Sequence, residues 1–369
     1  MPDDADIHRC FATEYVTARQ RLLDRAEKME LEIETMAISK KGPHEETLST
    51  DFLWIGPEDA TKLILHTSGV HGVEGFPGSA AAMWILEGIQ SKELVLPDDC
   101  AIAFAHAINP WGMAWLRRVN EDNADLNRNF LPPGEAYEGE PENYARLDHL
   151  LNPTSMKSGR EYYTIRAAWH SFKLGFANAK QAVQEGQYTR PTSLQYGGSG
   201  LAESSQNFID WCERRLTDVK QIVWIDFHTG LGPFGVDSLL VAEDVDEAVL
   251  KMRYGNRIQP LDPEKGVAYK IRGGIQAGIK SRFPEKDWTN ITQEFGTIKP
   301  IPLLKLARAE NRLTQWSGKP PLRLLQSKER RDLLDAFNPR SLKWRRMILQ
   351  RSRAIIEDAI AHLSEESRE

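Results

Sequence analysis

Short apolar runs recur along the chain and are separated by longer segments with helical periodicity. Four runs are almost continuously apolar, as expected of strands covered by helices on both faces, and a fifth is weaker. Helices are predicted where apolar residues recur at helical spacing. The predicted strands are 62–67, 101–105, 222–227, 238–242 and, more weakly, 290–295, and the predicted helices are 13–29, 78–90 and 343–363.

This alternation predicts an α/β fold with a mixed, mostly parallel central sheet and flanking helices. Residues 131–200 differ from the rest because they are polar and rich in turn residues, with some helical pattern around 160–185. We predict one catalytic domain over 1–369 with an insertion at 131–200.

Composition excludes several classes of protein. The chain has 369 residues, of which 41% are hydrophobic, and its ten tryptophans and 13 phenylalanines argue against disorder. A net charge of −6 without a basic stripe argues against duplex nucleic acid as a partner. No apolar stretch is long enough to span a membrane. The first residues are acidic, unlike a secretory leader, and the three cysteines are scattered. We therefore expect a cytoplasmic protein; its oligomeric state stays open.

A glycine-rich turn follows the first strong strand. Segment 68–75 (Ser-Gly-Val-His-Gly-Val-Glu-Gly) places His71 and Glu74 three residues apart, where both side chains can point at one centre. Imidazole and carboxylate are good zinc ligands, and a catalytic zinc site uses three protein ligands and one open position. The alternative interpretation is a turn with a capping glutamate and a surface histidine.

A third ligand is available at the end of another strand. His228 follows the strand 222–227 and precedes Thr229 and Gly230. Taken alone, it is as readily interpreted as a packed core histidine. Together, His71, Glu74 and His228 form the two-imidazole, one-carboxylate set of many zinc hydrolases.

Two further clusters of polar residues follow strands. The segment 109–130 is dense in Asn and Arg, including Arg117, Arg118 and the run Asp-Leu-Asn-Arg-Asn at 125–129. Arginine binds carboxylates with two hydrogen bonds and also stabilises oxyanions. A charged surface loop is the alternative. Glu294 is flanked by apolar and small residues, as expected of a carboxylate in a partly desolvated pocket.

In this order, the four blocks resemble the zinc carboxypeptidase superfamily, which includes succinylglutamate desuccinylases and aspartoacylases. More narrowly they resemble a bacterial branch known mainly as a domain of unknown function. The similarity runs from about residue 50 to the C-terminus. It implies a carboxypeptidase-like α/β/α sandwich that binds one Zn²⁺ per chain.

The resemblance also implies a role for each matching residue. His71, Glu74 and His228 would bind zinc, and Asp125 would orient a ligand imidazole. Glu294 would be the general base, and Arg118, or the adjacent Arg117, would hold the oxyanion. Asn127 and Arg128 would bind the free carboxylate of the substrate, and Tyr269 would cap the bound substrate. The alternative for Tyr269 is an ordinary loop tyrosine.

The implied activity is hydrolysis, by zinc-activated water, of an amide bond next to a free carboxylate. A small peptide and an N-acyl amino acid remain alternative substrates, so the enzyme is either carboxypeptidase-like or deacylase-like. A serine hydrolase, prompted by Gly198-Ser199-Gly200, is a competing hypothesis, although it lacks the usual nucleophile motif. A non-catalytic carboxylate-binding protein is another.

Overall fold

The apolar runs form the strands of one mixed sheet in the computed structural model, which describes residues 2–156, 162–242, 245–260 and 271–365. In the described part of the chain, eight strands have the order β1-β2-β4-β3-β5-β8-β6-β7. The strands are β1 Ile33–Lys41, β2 Thr47–Ile55, β3 Lys62–Ser68, β4 Cys100–His106, β5 Gln221–Phe234, β6 Asp237–Val241, β7 Ile258–Pro260 and β8 Asp287–Gly296.

Parallel pairing dominates the middle of this sheet. β3 pairs in parallel with both β4 and β5, and β5 pairs in parallel with β8. The β6–β7 pair is also parallel, whereas β1–β2, β2–β4 and β6–β8 are antiparallel. The prediction of a mixed, mostly parallel sheet is therefore confirmed, and each of the five predicted strands is present.

Helices occupy most of the remaining described chain and include the three predicted ones. The α-helices are α1 Asp4–Cys10, α2 Tyr15–Lys28, α3 Gly75–Gln90, α4 Pro110–Ala114, α5 Tyr144–Leu151, α6 Tyr163–Leu174, α7 Phe176–Gln184, α8 Glu203–Arg215, α9 Glu247–Tyr254, α10 Ile275–Lys280, α11 Pro300–Trp316, α12 Pro321–Leu325, α13 Lys328–Phe337 and α14 Leu342–Glu365. Short 3-10 turns lie at Gly72–Glu74, Leu126–Arg128 and Gly255–Arg257.

The sheet separates two hydrophobic cores. Side chains alternate along a strand, so Ile64 of β3 packs with α3 and α14 on one face, while Leu63 and Leu65 pack with α8 on the other. Both faces are thus covered, which explains why the central strands read as continuous apolar runs. The α/β/α sandwich expected from the sequence is confirmed.

Residues 131–200 lie in the chain between the 3-10 turn Leu126–Arg128 and the helix α8. The described residues of this region form the helices α5, α6 and α7, of which α6 and α7 correspond to the helical pattern around 160–185. Two small hydrophobic clusters join these helices to Ile301 and Leu304 of α11. Among the described helices, none has the length and apolarity needed to cross a bilayer.

Candidate metal centre and active site

A 3-10 turn immediately after β3 positions two of the predicted metal ligands. The turn Gly72–Glu74 follows His71, and its backbone is anchored by hydrogen bonds from Gly72 N to Arg118 O (3.1 Å) and from Val73 N to Arg117 O (3.0 Å). A Cβ atom on Gly72 would lie 2.0 Å from the backbone of Gly112. Only glycine therefore allows this close approach of the two segments.

The three predicted ligands converge in the interior. His71 Nδ1 lies 2.9 Å from Glu74 Oε1, and His228 Nδ1 lies 3.3 Å from Glu74 Oε2. One ligand atom from each residue falls within 4.8 Å of the others, and all three side chains are buried. His71 is only 4% exposed, so the interpretation as a surface histidine is wrong.

Both imidazoles turn their outer nitrogen toward a buried aspartate. His71 Nε2 lies 3.0 Å from Asp125 Oδ1, and His228 Nε2 lies 2.8 Å from Asp226 Oδ2. An aspartate on the outer nitrogen fixes the ring orientation and increases the basicity of the inner nitrogen, as is typical of histidine metal ligands. Two imidazoles and one carboxylate, arranged in this way, fit a zinc ion.

The charges at the centre are strongly coupled. Burial alone would raise the pKa of Glu74, but His71 and His228 outweigh it and hold that pKa below the ordinary value. Burial would lower the pKa of His228, but Asp226 and Glu74 outweigh it and raise that pKa well above the ordinary value. The centre thus attracts positive charge, either as protons or as a cation.

Asp226 was not among the predicted site residues, although it belongs to the same buried network. Its Oδ1 accepts a 2.6 Å hydrogen bond from Thr67, whose hydroxyl oxygen accepts one of 2.8 Å from Trp224 Nε1. The sequence spacing could have identified Asp226, because it lies two residues before His228 on β5. Residues at i and i+2 on a strand share a face of the sheet.

Glu294 lies on β8 directly beside His228, its register partner on β5. Its Oε1 accepts a 2.8 Å hydrogen bond from the Leu231 backbone N–H. Burial, followed by the effect of nearby Glu74, raises the pKa of Glu294 to about 7, although His228 and Leu231 act against this. Glu294 thus lies beside the candidate ligand His228, in a buried site where its carboxyl group is protonated more readily than usual.

The two adjacent arginines have different surroundings. Arg117 is buried and donates to Glu310 Oε1 (2.9 Å) on α11 and to Asn123 Oδ1 (2.9 Å). Arg118 contacts the outer side of His71: it bonds to Asp125 and lies 2.7 Å from His71 Nε2. Asp125 is held ionised: burial opposes this, but Arg118 and His71 lower its pKa well below the ordinary value.

The predicted carboxylate-binding pair is held tightly. Asn127 lines the cavity beside the centre, and its Oδ1 accepts a 3.0 Å hydrogen bond from Ile275 N. Arg128 is completely buried, and its guanidinium group donates to the backbone carbonyls of Gln184 and Asn127. Of the pair, Asn127 alone is among the described residues that line the cavity.

Two further sequence predictions concern Tyr269 and Ser199. Tyr269 lies outside the described residues. Ser199, proposed as an alternative nucleophile, is exposed in a loop and is not among the described residues that line the cavity. The position of Ser199 argues against the serine hydrolase hypothesis.

A cavity of about 280 Å³ opens at the centre. The three candidate metal ligands line this cavity, as do Arg118, Asn127 and Gln195. Gln195 accepts a 3.1 Å hydrogen bond from Arg118 and was not predicted. The cavity gives a small molecule access to the ligand set, so the arrangement is suited to binding and chemistry rather than to structural metal alone.

Comparison with solved structures finds distant similarity. Bovine thrombin-activatable fibrinolysis inhibitor, in complex with a tick carboxypeptidase inhibitor, is 12% identical, with 89% of this chain and 98% of that chain covered and a TM-score of 0.47. Murein-tripeptide amidase MpaA from Escherichia coli O157 is 15% identical (78% and 93% covered, TM-score 0.36). An aspartoacylase family protein from Mesorhizobium loti is 15% identical (77% and 66% covered, TM-score 0.37).

Sequence comparison adds one family. No curated protein matches the chain. A family model described as "Protein of unknown function (DUF2817)" matches residues 11–351. This match confirms the narrower resemblance, to a family known mainly as a domain of unknown function. The chain belongs to the DUF2817 family.

Proposed function

We propose that this protein is a zinc-dependent hydrolase of an amide bond adjacent to a free carboxylate. One observation carries the proposal: the buried set His71, Glu74 and His228 lies beside Glu294, which occupies the position paired with His228 on the neighbouring strand. A metal-ligand set next to a buried carboxyl group, at the end of an accessible cavity, is the arrangement that hydrolysis requires.

The three ligands would hold the ion through His71 Nδ1, His228 Nδ1 and the Glu74 carboxylate, since the outer imidazole nitrogens already have aspartate partners. When bound, zinc supplies Lewis acidity, which lowers the pKa of water and polarises a carbonyl group. The same donor set also accepts other divalent first-row metals.

The chain's own groups would move the protons. Glu294 takes a proton from the attacking water and returns it to the leaving nitrogen. The hydrogen bond from Leu231 N to Glu294 Oε1 holds the carboxyl group in place and leaves Oε2 for proton transfer. Arg118 stabilises the negative charge that develops on the carbonyl oxygen, because it lines the cavity in contact with the candidate ligand His71, whereas Arg117 is paired with Glu310.

Asn127 and Arg128 are proposed to bind the substrate carboxylate. Asn127 already lines the cavity, whereas Arg128 would exchange its bond to the Gln184 carbonyl for one to the substrate. A carboxylate is a stronger acceptor than a backbone carbonyl, which favours that exchange. The substrate is therefore a small peptide or an N-acyl amino acid.

The decisive test compares wild type with Glu294→Gln after both have been loaded with zinc. Wild type is expected to bind one zinc per chain and to cleave members of a panel of peptides and N-acyl amino acids. Glu294→Gln should keep the zinc and lose at least 10²-fold in kcat. Glu285→Gln, an exposed carboxylate just before β8, is the matched control and should behave as wild type. Full activity in Glu294→Gln would overturn the mechanism.

A further inference from the structure

The cavity extends from the metal centre into an apolar compartment. The helices α5, α6, α7 and α11 contribute apolar side chains to the cavity wall, and α13 adds Leu333 and Phe337. One residue from each of the first four helices is Leu151, Ala167, Val183 and Leu304. These residues belong to two small hydrophobic clusters that are separate from the large cores on the two faces of the sheet. The compartment is thus a feature of α5, α6, α7 and α11, not an extension of the main core.

The size and lining of this cavity are suited to an apolar ligand. The whole cavity, of about 280 Å³, is many times the roughly 10–15 Å³ that one water molecule needs, and its lining surface is mostly apolar. Phe176 lines the cavity and is 67% exposed, which places an opening beside it. An accessible apolar cavity of this kind binds ligands by removing hydrocarbon from water.

Polar groups suited to a charged head line the same cavity beside the candidate metal ligands: Arg118, Asn127 and Glu294. The rest of the lining is mostly apolar and also includes His170 and Lys180 of α6 and α7. A ligand with a charged head and a hydrocarbon tail matches this division. The head would lie at the centre and the tail would lie among the four helices.

The apolar wall reaches the centre from the side of His228. A Cβ atom at Gly230, two residues after His228, would lie 3.2 Å from Leu303 Cδ2 on α11. Asn127, the proposed carboxylate contact, is instead bonded to Ile275 at the start of α10. The proposed carboxylate site and the apolar wall thus approach the centre from different elements. In an N-acyl amino acid, the carboxylate and the acyl chain likewise extend in different directions from the scissile amide.

We propose that the substrate is an amino acid carrying a long apolar N-acyl chain, and that the compartment of α5, α6, α7 and α11 binds this chain. The inference rests on the proposed function for the position of the scissile bond. Hydrolysis breaks the amide C–N bond. The water oxygen and one proton go to the acyl carbon and the other proton goes to nitrogen, which yields a long-chain carboxylic acid and a free amino acid.

The first experiment varies chain length with the zinc-loaded enzyme. N-acetyl, N-octanoyl and N-lauroyl derivatives of glycine, leucine and glutamate are compared with tripeptides of the same C-terminal residues. Each buried methylene should raise kcat/KM about threefold to fourfold until the compartment is full, so N-octanoyl should exceed N-acetyl by at least about 100-fold. Equal rates for N-acetyl and N-octanoyl, or a preference for tripeptides, would overturn the inference and leave the proposed hydrolysis intact.

The second experiment fills the compartment. Ala167→Phe on α6 and Ala307→Phe on α11 each add a ring to the cavity wall, and Ala168→Phe is the control because Ala168 is exposed and not among the described lining residues. The two cavity variants should lower kcat/KM for N-lauroyl substrates at least 10-fold and change N-acetyl turnover less than twofold. The control should leave both unchanged. An unchanged chain-length profile in both folded cavity variants would overturn the inference.

Binding separates failure of the inference from failure of the proposed function. Titration of zinc-loaded wild type with N-lauroyl and N-acetyl glycine measures affinity without requiring turnover. Tight binding of N-lauroyl glycine that is weakened in Ala167→Phe, with no hydrolysis of any substrate, would support the compartment and reject the hydrolase. Hydrolysis by an enzyme that binds N-lauroyl and N-acetyl glycine equally well would support the hydrolase and reject the acyl-chain compartment.

Discussion

Arg117 and Glu310 form a buried ion pair that joins α11 to the residue immediately before Arg118, the proposed oxyanion donor. Arg117 Nε lies 2.9 Å from Glu310 Oε1, and both side chains are at most 4% exposed. Arg330 of α13 contacts the same carboxylate at 3.4 Å. The Arg117 carbonyl in turn accepts a hydrogen bond from Val73, within the turn that carries the metal ligands. The ion pair therefore supports the backbone beneath the metal centre.

Removing the charge of Glu310 is expected to be costly. Glu310→Gln leaves two buried guanidinium groups without a counter-charge, which should lower the free energy of unfolding by about 3–5 kcal/mol. Urea denaturation measures the change. Asp335→Asn, which breaks an exposed pair with Arg340, is the control and should change stability by less than about 1 kcal/mol. Similar small effects in both variants would show that the buried pair is dispensable.

The aspartate behind His228 should control metal affinity. Asp226→Asn keeps the size of the side chain but weakens the bond that orients His228, so zinc affinity should fall about 10–100-fold. Competition with a chromophoric chelator measures the dissociation constant. Asp287→Asn, at the exposed start of the adjacent strand β8, should keep the wild-type affinity. An unaltered affinity in Asp226→Asn would show that Asp226 does not support the ligand.

Local patterns in the sequence were enough to predict the sheet core and the clustering of the candidate ligands, because both depend on short segments. His71 and Glu74 share one turn, and the apolar runs report strands that are covered on both faces. Long-range partners were not predictable in this way: Glu310 pairs with Arg117 across 193 positions. The helix α11 and the hairpin β1–β2 were also not predicted, and β1 is exposed along much of its length.

Two buried histidines should make the fold sensitive to acid. Burial lowers the pKa of His66 on β3 and of His106 on β4 to about 4. The unfolded chain, with histidine pKa values near 6.5, therefore binds protons first as the pH falls. Each neutral histidine makes its full contribution to the free energy of unfolding above pH 6.5. That contribution is lost between pH 6.5 and 4, by up to about 3 kcal/mol per histidine.

The variant His66→Leu tests this pH dependence, since Leu suits a site between Phe104 and Phe227. Between pH 7 and pH 5 it should lose about 2 kcal/mol less stability than wild type, as measured by urea denaturation at each pH. His44→Gln, an exposed histidine, should retain the wild-type difference. If His66→Leu had the same pH dependence as wild type, His66 would not be a source of acid sensitivity.

The arginines of the site should separate turnover from binding. Arg118→Ala removes the donor nearest the centre and should lower kcat about 10²–10³-fold with little change in KM, because its interaction forms mainly in the transition state. Arg128→Ala should instead raise KM for substrates with a free carboxylate and leave amidated analogues unaffected. Steady-state kinetics on both substrate types decides between these roles. A change of KM alone in Arg118→Ala would reassign that residue to substrate binding.

Glycine at position 72 is required by the contact that anchors the ligand turn. In Gly72→Ala the new Cβ would lie 2.0 Å from Gly112 C and 2.5 Å from Arg117 O, so the turn and the segment 112–117 must move apart. We expect a loss of about 3 kcal/mol of stability and a weaker zinc site, because the displaced turn carries His71 and Glu74. Gly200→Ala, where nothing lies within 4 Å of the added atom, should change stability by less than about 1 kcal/mol. Wild-type zinc affinity in Gly72→Ala would show that the ligands keep their geometry without this contact.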